Sequence, residues 1–147
     1  MVTINQQEQE NLFHRYVLSN IKLEQELYLR RMDKVNDGNK LSAYFQSTPT
    51  KNIVGKYLVA GAMDVNLLYT CTQIATLSAC SKTAVCKIAN DCIEAGWAEE
   101  VMIQNVRHVR ATDVHVQAYQ DYTIAVMEAR NRYVTDYCAA QKLLAMA

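Results

Sequence analysis

Residues 71–97 have the sequence CTQIATLSACSKTAVCKIANDCIEAGW, and this stretch decides the fold. Thr70, directly before it, and Gln73 have the spacing of a capping box, in which each side chain bonds the other residue's backbone N–H. The pair predicts a short helix over residues 71–77. Ser81 is a favourable N-cap residue, and it predicts a second helix that runs to about residue 95.

The two helices are separated by a short turn with small residues around it. Ala75 falls where the helices would cross, Ala79 falls at the turn, and Gly96 ends the second helix in the usual left-handed way. The second helix has apolar residues on its inner side at steps of three and four, which are Val85, Ile88 and Cys92. The pattern predicts a helix-turn-helix.

The outer face of the second helix carries the candidate DNA-binding side chains. Lys, Thr and Asn can reach phosphates or base edges in a major groove. Both lysines lie in the half of the helix that normally enters the groove. The acidic Asp91 and Glu94 fall in the second half, and we expect them to lie away from the duplex. The candidates on this helix are Ser81, Lys82, Thr83, Cys86, Lys87 and Asn90.

The cysteines have two interpretations. Lysines near Cys86 would stabilise its thiolate, so this residue could be a redox switch. The favoured interpretation is a small neutral side chain that fits the groove surface. The remaining cysteines are predicted to be small core hydrophobes; they are Cys71, Cys80, Cys92 and Cys138.

A β-hairpin and a further helix flank the helix-turn-helix. After Gly96 the residues alternate loosely, which predicts strands over Glu99–Gln104 and Val106–Ala111 with a turn near Asn105. Arg107 and Arg110 point to opposite faces of their strand, and one of them is expected to reach the DNA backbone or minor groove. A helix from 49 to 64, with Thr48 as cap and Pro49 at its first position, precedes the motif after a polar connection.

The two ends of the chain are predicted to be long helices, over residues 5–35 and 113–143. Their aromatic and aliphatic residues recur at helical steps, which predicts a dimer core. We therefore expect one winged-helix domain over residues 1–147, mainly α with a small β-hairpin wing. Its core covers residues 49–112, and the terminal helices form a homodimer.

Composition limits the function classes. Half of the 147 residues are hydrophobic, and only four Gly and one Pro occur, which favours a helical globular protein. The 15 basic and 15 acidic side chains balance, which weighs against non-specific coating of DNA but allows a small basic surface. We expect that surface to be shared by Lys51, Lys56, Lys82, Lys87, Arg107 and Arg110.

Several classes of site are not indicated by the sequence. No signal peptide, membrane span, catalytic motif or metal spacing is visible, so we expect a cytoplasmic non-enzyme with no cofactor and with reduced thiols. The histidines His14, His108 and His115 are expected to be ordinary surface or interface residues.

The helix-turn-helix resembles that of the multiple-antibiotic-resistance-type (MarR) winged-helix regulators. The resemblance is carried by Gln73–Ala75, Ser81–Val85 and Glu94–Trp97, and by the basic return strand Val106–Thr112. It departs from that family at Ala79, where Gly is usual, and at the wing tip, which lacks an Asp-Gly-Arg-type sequence.

The resemblance implies a homodimeric transcriptional regulator that binds pseudo-palindromic double-stranded DNA in a sequence-specific way. It also implies a possible small-molecule effector between the dimer helices and the reading lobe, near Tyr16, Tyr57 and Tyr122. The alternative is a winged-helix module for protein–protein interaction that does not bind DNA.

Overall fold

The computed structural model describes residues 6–36, 40–132, 141, 142 and 145. The described part is mainly helical with one antiparallel β-hairpin, which confirms the predicted fold class. Its helices are α1 (Gln6–Asn36), α2 (Lys40–Gln46), α3 (Pro49–Met63), α4 (Cys71–Ser78), α5 (Lys82–Ala95) and α6 (Asp113–Arg132), with a 3-10 turn at Val65–Leu67; its strands are β1 (Ala98–Ile103) and β2 (Val106–Ala111).

Two compact units divide the chain, one of residues 1–33 and 123–147 and one of residues 34–122. The first unit contains most of α1, on which Glu26 forms an ion pair with Arg132. The second unit contains the whole helix-turn-helix and the wing. The predicted winged-helix core, residues 49–112, lies inside this second unit, and the prediction of a single domain stays a prediction.

The predicted helix caps in the second unit are confirmed. Thr48 accepts from the backbone N–H of Lys51, with Pro49 at the first helical position of α3. Thr70 and Gln73 form the capping box of α4 in both directions, with N···O distances of 3.2 and 2.9 Å. Local sequence therefore sets where these helices begin, because each cap satisfies backbone donors that have no partner within the helix.

Both helices of the helix-turn-helix end in left-handed residues. Ala79 has φ 56° and Gly96 has φ 83°, and after each the next residue bonds back to the helix, Cys80 N to Ala75 O at 3.1 Å and Trp97 N to Cys92 O at 2.8 Å. These are Schellman-type ends, in which a left-handed residue turns the chain sharply away from the helix axis.

The wing forms as the predicted antiparallel hairpin, except that its first strand begins and ends one residue earlier than predicted. Ala98 pairs with Ala111 and Ile103 with Val106. Gln104 and Asn105 join the strands with φ values of 50° and 64°, as a two-residue hairpin turn with right-handed strand twist requires. An isolated antiparallel bridge between Tyr69 and Val109 pairs the segment before α4 with β2, on the edge of β2 that does not face β1.

The connection before α3 differs from the prediction. Residues 40–46 form α2 rather than a loop, and its Leu41 and Phe45 are buried. The Phe45 ring fits because Gly55 of α3 has no Cβ; a Cβ there would lie 2.6 Å from the ring. Seven residues are too few for hydrophobic periodicity to predict a helix. This helix is stabilised by its packing against α3.

The core of the second unit lies between α2, α3, α4, α5 and the hairpin. Val85, Ile88 and Cys92 are buried in it, as the inner-face pattern predicted. Cys71 is buried as well, whereas Cys80 is only half-buried. The predictions for Cys138 and for a helix beyond Arg132 lie outside the described residues.

His115 is a core residue, so its prediction as a surface or interface histidine is wrong. It is 3% exposed and stacks on Phe45 with ring centroids 4.3 Å apart. Its Nδ1 has no well-aligned hydrogen bond among the described residues. Burial lowers the pKa of His115 to about 4, and the nearby Trp97 carbonyl offsets only part of this shift. The imidazole is therefore neutral at pH 7.

Acidification should destabilise the protein through His115. The folded pKa of about 4 lies below the ordinary value of 6.5, so the unfolded state binds the extra proton. The stability is fully present above pH 6.5 and is lost as the pH falls towards 4, by about 2–3 kcal/mol. His115→Phe, which keeps the stacking, should flatten this part of the pH profile in urea unfolding.

His14, which is exposed on α1, gives the matched control. His14→Gln removes an exposed histidine and leaves the contact between Phe45 and His115 intact, so the loss of stability between pH 7 and about 4.5 should persist in this variant. Equal profiles for the wild type and His115→Phe would show that His115 is not buried as the structure has it.

Candidate nucleic-acid interface

The outer face of α5 forms one open surface groove. Five of the six candidate residues predicted on this helix line it together, and the groove also contains Asp91. Lys82, Thr83, Lys87 and Asn90 are exposed, whereas Cys86 is half-buried. The structure thus brings together the side chains that helical spacing placed on one face.

Ser81, the sixth candidate, has a structural role as the N-cap of α5. Its Oγ accepts from the Ala84 backbone N–H at 3.1 Å and caps α5. The cap fixes the start of the helix, whose N-terminal N–H groups and dipole favour a negatively charged partner. Ser81 stays exposed at that end.

Asp91 also lines the groove. The sequence had instead predicted that Asp91 lies away from the duplex. Its Oδ2 is 3.2 Å from Lys87 Nζ and accepts from the Tyr44 hydroxyl, also at 3.2 Å. Burial raises the pKa of Tyr44, with further contributions from the charges of Cys92 and Asp91. The groove is therefore mixed in charge along its length, and Lys82, at its N-terminal end, forms no ion pair with any residue that the structure describes.

The two wing arginines are each held by a glutamate of the opposite strand. Arg110 Nε lies 2.8 Å from Glu99 Oε1, and Arg107 Nε lies 2.9 Å from Glu100 Oε1. The second pair is close but poorly aligned, since Arg107 Nε makes no hydrogen bond by angle. Both pairs are part-exposed, so they add little stability and can be exchanged for other anions.

Arg107 also joins the wing to α5. Its Nη2 donates to Asn90 Oδ1 at 2.8 Å, across 17 residues of sequence. The contact brings a wing arginine to the edge of the α5 groove. Alternation along a strand could not show which of the two arginines faces α5.

The expected shared surface of six basic residues forms only in part. Lys51 lies over the Tyr44 ring, 4.4 Å from its centroid, and Tyr44 in turn contacts Asp91 of the groove. Lys56 instead lines a cavity with His115. Of the six, the side chains of α5 and the adjoining wing lie near one another, and acidic partners lie among them.

That cavity, of about 50 Å³, lies between α2, α3 and the start of α6. Tyr122 lines it, whereas Tyr57 packs near Tyr69 with ring centroids 6.3 Å apart. Tyr16 belongs to the other unit. Ligand pockets are usually roughly 300 Å³ or more, so the small-molecule effector stays a prediction.

Sequence reasoning missed the neighbour of Cys86. Burial raises the pKa of the Cys71 thiol, the first residue of α4, to about 11, and the neighbouring Cys86 thiol raises it further. The two are 15 positions apart on different helices, and only the packing of α4 against α5 brings them together. No local signal could have shown this.

The described residues contain no group of three or more His, Cys, Asp or Glu side chains arranged to hold a metal ion. No helix in the part of the chain that the structure describes is long and apolar enough to cross a membrane.

Comparison with known proteins supports the fold. The chain is similar to S. aureus MepR bound to ethidium bromide, with a TM-score of 0.53 and 14% identity over 81% of this chain and 94% of that one. A structure of disulfide-formed AbfR matches 87% of this chain and 94% of its own at 15% identity, but its TM-score of 0.47 is too low to support an argument. No protein-family model and no curated protein sequence matches. MepR is a MarR-family winged-helix regulator, and the chain has the fold of that class.

The Arg107–Asn90 contact should be measurable as a coupling. A double-mutant cycle of Arg107→Ala and Asn90→Ala in urea unfolding should give about 0.5–1 kcal/mol, as expected for a part-exposed, charge-assisted hydrogen bond. Arg110→Ala paired with Asn90→Ala is the control and should be additive, because Arg110 bonds Glu99 instead. Additivity in both cycles would mean that the wing is not joined to α5 in solution.

Proposed function

We propose that this protein is a sequence-specific double-stranded DNA-binding transcriptional regulator that acts as a homodimer and not as an enzyme. One observation carries the proposal. The second helix of a helix-turn-helix presents Lys82, Thr83, Lys87 and Asn90 in one exposed groove, with its capped N-terminus at the same end as Lys82. Packing of the core does not require these exposed side chains.

The arrangement suits a major groove. The N-terminal half of α5 would enter it, where Thr83 can bond base edges and the lysines can contact phosphates. Asn90 lies just beyond that half on the same face and can also reach a base edge. Asp91 would lie towards the outer edge and would keep Lys87 oriented. Phosphate oxygens would replace Glu100 and Glu99 as partners of the wing arginines.

Exposed apolar side chains support the homodimer. α1 leaves several large ones open to solvent, and α6 does so beyond residue 122; they are Phe13, Tyr16, Val17, Leu18, Ile21, Tyr28, Leu29, Met32, Ile124 and Met127. Exposed apolar residues in such number mark an interaction surface. A second copy would cover them and place two α5 helices about 34 Å apart on a pseudo-palindromic site.

A protein-interaction module is the second candidate, and the wing tip favours it. Met102, Ile103 and Val106 are exposed by 60%, 40% and 49%. The tip carries no charged side chain, and the arginines behind it are paired. Such a surface resembles the apolar centre of a protein interface more than a phosphate-binding one.

Selection from a random duplex pool, near 0.15 M salt, separates the candidates. We expect a two-fold-related motif with binding that weakens as salt rises. Lys82→Ala with Lys87→Ala should lower affinity for that motif by about 10- to 100-fold and reduce the salt slope by about two per subunit, because two phosphate contacts are lost.

Lys56→Ala is the matched control, since Lys56 lines the cavity and not the α5 groove. It should retain wild-type affinity. Sedimentation at micromolar concentration should give a dimer for all three proteins. A folded dimer with no enriched motif would favour the protein-interaction module, and unchanged affinity of the double variant would reject the α5 groove as the reading surface.

A further inference from the structure

The wing fixes the orientation of one side-chain amide in the α5 groove. Asn90 is exposed on the groove face of α5, and its Oδ1 accepts from Arg107 Nη2 at 2.8 Å. A guanidinium has only donors, so the amide atom that faces it must be the oxygen. The oxygen of Asn90 therefore points to the wing, and its Nδ2 amino group points away from Arg107.

Arg107 is itself held from the wing. Its Nε lies 2.9 Å from Glu100 Oε1, and the strand register places Glu100 on the same face of the hairpin as Arg107. The guanidinium thus lies between a carboxylate of the wing and the amide of α5, which limits its freedom to leave Asn90. A phosphate that replaced Glu100 at Nε would still leave the Nη2 donor on Asn90.

This contact determines what Asn90 can offer to a base. Among the residues that the structure describes, none accepts a hydrogen bond from Nδ2, so its two N–H donors are available. The two-bond contact of an asparagine with adenine needs a donor to N7 and also an acceptor for the N6 amino group. Turning the amide over would set its N–H groups against those of Arg107. Although Oδ1 keeps a second lone pair, the adjacent guanidinium repels an approaching amino donor.

We propose that Asn90, oriented by Arg107, selects guanine over adenine at the base pair that it meets in the major groove. The guanine edge carries two acceptors there, N7 and O6, whereas adenine has an amino donor in place of O6. The positive charge of Arg107 favours the same acceptor-rich edge. The inference rests on the proposed DNA-binding function, and in it Arg107 is a positioning residue that acts on the base through Asn90.

Selection from a random duplex pool with the full chain and with Asn90→Ala identifies the position that Asn90 reads. It is the position of the motif whose base preference the variant loses. Affinities are then compared for two duplexes that differ only there. The wild type should prefer guanine to adenine by about 5- to 10-fold, at the lower end of what a mismatched base pair costs.

Asn90→Asp separates the two ends of the amide. The variant keeps the size of the side chain and an oxygen for Arg107, but it replaces the amino donor by a second oxygen, which the guanine acceptors repel. The guanine preference should be lost although the contact with Arg107 remains. The added negative charge weakens binding to both duplexes, so the ratio of the two affinities still reports the base preference.

Variants of the wing test the positioning role. Arg107→Ala should bring the ratio close to one, because the amide can then turn over and accept from adenine. Arg107→Lys, which keeps a donor for Oδ1, should retain most of the preference. Arg110→Ala is the matched control, since Arg110 bonds Glu99 on the opposite face of the hairpin. It should weaken binding to both duplexes equally, and thermal melts should confirm that each variant folds.

The outcomes distinguish this inference from the proposed function. An enriched motif with adenine preferred at the position that Asn90 reads, or with no position altered by Asn90→Ala, would overturn the inference and leave the proposed function intact. A guanine preference that survives Arg107→Ala or Asn90→Asp would do the same. A folded dimer that selects no motif would overturn the proposed function and this inference with it.

Discussion

Ala79 imposes the constraint on which the rest of the second unit depends. It adopts φ 56° and ψ 33°, a left-handed conformation that costs an alanine about 1 kcal/mol relative to ordinary backbone. The turn lets Cys80 N bond Ala75 O, which closes α4, and it brings the chain to Ser81, which caps α5. The cost is offset by burial of the apolar face of α5, where Val85, Ala89 and Cys92 are wholly enclosed. Without this turn α5 would have no fixed outer face.

The wing contacts the C-terminal end of α5. The Trp97 carbonyl accepts from Thr112 N at 3.0 Å, and the Thr112 hydroxyl donates to the Gly96 carbonyl at 2.8 Å. The hydroxyl thus joins the end of β2 to the end of α5. With Arg107 on Asn90, the hairpin contacts α5 at two separate places. A protein of zero net charge can then present Lys82 and Arg107 near one surface, because position and not total charge decides the local potential.

Sequence patterns predicted those parts of the fold that short-range chemistry determines. Thr48, Thr70, Ser81 and Gly96 begin or end helices through bonds within a few residues, so their spacing was sufficient. α2 and the burial of His115 depend on contacts between distant segments. A histidine that stacks on Phe45 has the same local sequence as an exposed one, which is why its prediction was wrong. The α5 groove was predictable because a helix has a known period, whereas the partners of Asp91 and Arg107 were not.

Lysine footprinting tests most directly whether the outer face of α5 is the reading surface. Acetic anhydride modifies accessible lysines, and mass spectrometry compares their reactivity with and without the selected duplex. Lys82 and Lys87 should be strongly protected in the complex, because phosphates would cover their ammonium groups. Lys56, at the cavity, and Lys22, exposed on α1, should react as in the free protein. Unchanged reactivity of Lys82 and Lys87 in a saturated complex would contradict the account.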